Sequence, residues 1–76
     1  MTPYKNTNGD SNVEAYEIGV DSITVRFMSG THRNYLYNSA RPGTAIVEKM
    51  KALAIQGHGL NSYISTTVRS NFARKW

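Results

Sequence analysis

Cysteine is absent from these 76 residues, so neither a disulfide nor a thiolate-ligated zinc ion can hold the chain together. Stability must come from packing, alone or with a partner. The only histidines, His32 and His58, stand far apart without clustered carboxylates beside either, which leaves too few ligands for a metal centre. Neither a metal nor a cofactor is expected. Apolar runs extend over only a few residues, whereas a membrane-spanning helix needs about 20. The opening Met1-Thr2-Pro3-Tyr4-Lys5-Asn6 has no apolar signal-peptide core. These features read as a soluble, cytoplasmic protein with no membrane attachment.

Acidic residues are also scarce, five against nine Lys and Arg, and the imbalance is uneven along the chain. Residues 1 to 25 set Lys5 against Asp10, Glu14, Glu17 and Asp21, a net charge of −3. Residues 26 to 76 carry eight Lys and Arg against Glu48 alone, a net charge of +7. Gathered on one face, those cations would attract phosphates and speed association with nucleic acid or nucleotides. Scattered, they would only solvate the surface.

Residues 1–11, rich in Asn, Thr, Gly, Asp and Ser, offer little to bury and read as a loose arm before a single domain over 12–76. A short strand is expected over 12–18. The clearest alternation follows, with Ile23, Val25 and Phe27 facing one way and Thr24, Arg26 and Met28 the other. Ser29-Gly30 turns the chain into a third strand over 31–37, completing a three-stranded antiparallel meander. Beyond Pro42-Gly43, Thr44 is placed to cap a helix whose stripe is Ile46, Val47, Met50, Leu53 and Ala54. Gly57 ends it. A second stripe, Leu60, Tyr63, Ile64, Thr67 and Val68, predicts a short second helix, after which Phe72 and Trp76 anchor the tail on the core while Arg69, Arg74 and Lys75 point outward. The fold class is therefore α+β.

Catalytic constellations are poor. Nucleophilic catalysis needs a nucleophile, a base and an orienting group together, and neither histidine stands in such a context; no Gly-x-Ser-x-Gly elbow is present. Glu14 and Glu17 fall on opposite faces of a strand and read as surface charges. Gly57-His58-Gly59 admits two readings. Its backbone can approach a phosphate at the start of the second helix, or Gly57 and Gly59 simply reverse the chain around an exposed His58. Tyr35 and Tyr37 share one face of the third strand with Arg33. That face either stacks on bases while the guanidinium meets phosphate, or it belongs to the core.

The order of features resembles the KTSC domain, a module named for its occurrence at the C-terminus of some lysyl-tRNA synthetases and also found as a lone small bacterial or phage protein. The resemblance spans about residues 12–72. It rests on Val25-Arg26-Phe27-Met28-Ser29-Gly30, on Tyr35-Leu36-Tyr37, which looks like the family's central Tyr-x-Tyr, and on Pro42 leading into an amphipathic helix. Leu60-Asn61-Ser62-Tyr63-Ile64 resembles its Phe-Asn-x-x-Ile segment, with Leu60 in place of the aromatic residue. The resemblance implies a small α+β fold that binds RNA without catalysis, and touches Tyr35, Tyr37 and Asn61.

The resulting expectation is a non-enzymatic module for nucleic acid, RNA foremost, or a nucleotide. Arg33, Arg69, Arg74 and Lys75 would neutralise phosphates, and Tyr35, Tyr37 or Tyr63 would stack on bases. Asn61 and the amides after His58 would supply directional hydrogen bonds. Two alternatives stand beside it: a homo-oligomeric sponge for a small nucleotide signal, and a phage-type modulator that presents its basic and aromatic surface to an acidic protein partner.

Overall fold

In the computed structural model, which describes residues 1–7, 9 and 11–76, the alternating segment around Ile23 becomes the middle strand of an antiparallel sheet. Asn8 and Asp10, part of the expected arm, lie outside the described residues. The elements are β1 (Thr2–Pro3), β2 (Val13–Ile18), β3 (Ser22–Phe27), β4 (Asn34–Asn38), α1 (Thr44–Gln56), α2 (Leu60–Tyr63), a π-helical turn (Ile64–Val68) and β5 (Arg74–Lys75). Five strands lie in chain order across the sheet, so the protein is α+β with two helices. The expected meander matches the middle of this sheet, β2-β3-β4, only roughly: its third strand runs over Asn34–Asn38 and not 31–37, and a two-residue strand extends the sheet on each side.

Register fixes the two faces. Ile23 lies opposite Tyr37 and Val25 opposite Tyr35, while Tyr16 lies opposite Val25, so these five side chains share one face. Val47, Met50 and Ala54 of α1, with Leu60, Ile64 and Val68 after it, close over that face. The helical stripe read from the sequence is thus the packed stripe, with Ile46 and Leu53 at its margin. Full burial of a side chain of this size stabilises by roughly 1.5–3 kcal/mol.

Three local features differ from expectation. Thr44 is the first helical residue of α1, not its cap: Gly43 holds the N-cap at φ 113°, with no side-chain cap hydrogen bond. The second helix widens into the π turn, where Arg69 N donates to Ile64 O, and the added residue per turn leaves Thr67 exposed while Ile64 and Val68 stay buried. The arm expected to be loose is tied down over residues 2 to 7. Thr2 and Pro3 pair with Tyr16 and Ala15, and Thr7 N donates to Gly57 O at 2.9 Å. Tyr4 is buried, and its hydroxyl accepts from Leu60 N at 3.3 Å.

Gly57 explains how the arm sits so close. It ends α1 at φ 85°, and a Cβ added there would stand 2.5 Å from Lys5 Cβ. Only glycine meets both conditions.

Candidate functional site

The helices cover one face of the sheet and leave the other open. On that open face Arg26 lies opposite Asn34, and Leu36 lies opposite Arg74. Asn34 and Trp76 exchange backbone hydrogen bonds at 3.0 and 2.9 Å, which places Trp76 in the same row as Asn34 and Arg26. None of these residues belongs to the core cluster, so of the two rings expected to anchor the tail on the core only Phe72 does so, and strand pairing carries Trp76 to the other face. The open face therefore carries cations and an indole, assembled from β3, β4 and the tail strand.

Its geometry is specific. The Arg74 guanidinium lies 5.1 Å from the centroid of the Trp76 ring, within cation–π range, and Trp76 is 47% exposed. Arg26 Nε donates to Asn34 Oδ1 at 3.3 Å, and Asn34 Nδ2 donates to Trp76 O at 3.3 Å, so one asparagine ties β3 to the tail. Glu14 stands where β2 and β3 slip register, and its carboxylate meets Arg26 Nη1 at 3.8 Å and Arg33 Nη2 on its other oxygen. Arg33 Nε also donates to Phe27 O at 2.9 Å. Arg74 has no carboxylate partner among the described residues.

The sequence-derived site residues divide between places. Tyr37 is 1% exposed within the core, which removes its ring from any surface. Burial, with the neighbouring Tyr35 phenol adding to it, pushes the Tyr37 hydroxyl well above its ordinary pKa. Tyr35 is half-buried between Phe27 and Phe72, edge-on to both at 5.3 and 5.0 Å between centroids. Tyr63 packs against the core. Arg33, just before β4, gives its guanidinium to the Glu14 carboxylate and the Phe27 carbonyl. Alternation along β5 separates Arg74 from Lys75: Lys75 lies opposite Tyr35, with its ammonium 5.6 Å from the Phe72 centroid on the helix side. Arg69 is exposed at the end of the π turn with φ 53°.

His58 and Asn61 come together elsewhere. With Tyr4, Gly59 and Ser62 they line a cavity of about 210 Å³ between the arm and the start of α2. Gly57 and Gly59, at φ 85° and 86°, reverse the chain on either side of an exposed His58. Among the described residues, no group of three His, Cys, Asp or Glu is arranged to hold a metal ion, and no helix is long and apolar enough to cross a membrane.

Trp76, Arg26, Asn34 and Glu14 were not among the site residues expected from sequence. Arg26 carried a readable signal, because it alternates with Ile23, Val25 and Phe27. So did Trp76, two residues beyond Arg74 and hence on its side of any strand formed there. No family model, no curated protein and no solved structure matches the chain.

Proposed function

We propose that the protein is a non-enzymatic nucleic-acid-binding module that takes single-stranded RNA, or a similar strand, on its open sheet face. The observation that carries this reading is the half-exposed Trp76 ring held under the Arg74 guanidinium, with Arg26 on the same face and the Arg33 guanidinium joined to Arg26 through Glu14. An open indole offers a stacking surface to any base, and flanking guanidiniums offer charge to the backbone on either side of that base. The similarity of Tyr35-Leu36-Tyr37 and the Asn61 segment to KTSC modules adds RNA as the favoured polymer. In this reading the tyrosines shape the sheet from beneath, and the stacking role falls to Trp76.

Trp76 is the only tryptophan, so its fluorescence reports on the site directly. Titration with single-stranded oligouridylate at low salt should quench the emission, and affinity should fall steeply with added salt. Unchanged emission, together with unchanged anisotropy of a labelled oligonucleotide, would remove the polymer reading.

A second reading, a small-nucleotide sponge, draws on the cavity beside His58 and Asn61. At about 210 Å³ it is smaller than the roughly 300–1,000 Å³ of ordinary ligand pockets, so a second copy of the chain would have to complete the enclosure. Here a nucleotide would raise the melting temperature by mass action, whereas an oligonucleotide would not.

A further inference from the structure

The β-bulge in β2 spends a carboxylate in an unexpected place. The slip of register between Val13 and Ala15 leaves Glu14 without a partner in β3, and its side chain reaches two guanidiniums that the sequence separates, Arg26 in β3 and Arg33 before β4. Bulges re-aim side chains, and they recur beside functional surfaces. All three groups remain substantially open to water, with side-chain exposures of 41% for Arg26, 45% for Arg33 and 39% for Glu14. An exposed pair of this kind contributes little to stability. Its electrostatic effect is larger: two neighbouring positive charges are reduced to one.

We infer that Glu14 is an internal competitor for phosphate, which makes the open face selective for ligands that bring several phosphates at once. The inference rests on the strand-binding reading above. A single anion that displaces Glu14 exchanges one carboxylate contact for one phosphate contact, an almost even trade. A strand engages Arg26, Arg33 and Arg74 together while its base rests on Trp76, and the cost of releasing one carboxylate is spread over all of those contacts. Glu14 thereby suppresses binding of monoanions and leaves binding of a polymer.

The test compares wild type with Glu14→Gln, using a labelled single-stranded oligouridylate and, separately, inorganic phosphate. The variant should bind the oligonucleotide about fivefold more tightly at low salt. Its log–log salt dependence should steepen by about 0.7, as for one further phosphate contact on a single strand. Inorganic phosphate should compete with the oligonucleotide measurably on the variant and negligibly on wild type. Arg33→Gln should weaken oligonucleotide binding by a similar factor, and adding Glu14→Gln to it should restore near wild-type affinity. The melting temperature of each variant identifies any that fails to fold, and should Glu14→Gln do so, Glu14→Asp, which keeps the charge but draws the carboxylate back from both guanidiniums, carries the test with the same expected signs. If wild type binds but Glu14→Gln binds equally or more weakly with an unaltered salt slope, Glu14 is only a pin for the loop before β4, and the inference fails while the strand-binding reading stands. If neither protein binds the oligonucleotide, both fail.

Discussion

The two faces of one sheet use similar residue types to opposite ends. Beneath the helices, Tyr16, Tyr35 and Tyr37 meet Ile23 and Val25, and their rings serve as packing volume. On the open side, the aromatic group is Trp76, whose ring is shared between solvent and the Arg74 guanidinium. An aromatic residue is therefore not a binding residue by type. Strand parity, combined with the position of the helices, decides whether its face is available.

Substitutions on the two sides should separate stability from binding. Tyr37→Ala removes the largest fully buried side chain and should cost about 3–5 kcal/mol in urea unfolding, a large share of the stability of so small a domain. A loss below about 1 kcal/mol would mean that the inner face is not the core. Gly57→Ala tests whether the arm belongs to that inner layer. It should destabilise by about 1–3 kcal/mol, because it forces a left-handed residue and a clash with Lys5 Cβ. Lys5→Gly should recover the part due to the clash.

On the open face, Trp76→Ala should leave unfolding nearly unchanged while lowering oligonucleotide affinity by about 1–3 kcal/mol, the range for one stacked base. Equal effects on both measurements would erase the distinction between the faces. A pH titration gives a smaller signal. The folded state holds the Tyr37 proton more tightly than the unfolded chain, whose phenol titrates near 10.0. This contribution to stability is complete below pH 10 and is lost as pH rises beyond it, so the melting temperature should decline in that range and decline less in Tyr37→Phe. The smallest effect is expected for Tyr35→Phe, whose oligonucleotide affinity should stay within about twofold of wild type, because its ring lies edge-on between Phe27 and Phe72.

The middle strands and α1 were readable because each carries a sustained period: two residues for Ile23, Val25 and Phe27, and three to four for Val47, Met50 and Ala54. β1 and β5 were not, because two residues cannot display a period. Their pairing is set by tertiary contacts, among them buried Tyr4 and the tie from Asn34 to Trp76. For the same reason the basic second half of the chain did not reveal its own arrangement. Arg74 and Lys75 are neighbours in sequence and lie on opposite faces once β5 forms, and Glu14 from the acidic first third returns to pair with two arginines of the basic part. The bulge that brings it there has no local sequence signal.

The brevity of the outer strands has a further consequence. One edge ends in a two-residue strand containing Pro3, which has no amide hydrogen to offer a newcomer, and the other in a two-residue strand made of two cations. Such margins resist the addition of another chain's strand, the step by which small β-rich proteins grow into fibrils. Any lasting self-association would have to proceed through a face of the molecule, not by extending its sheet.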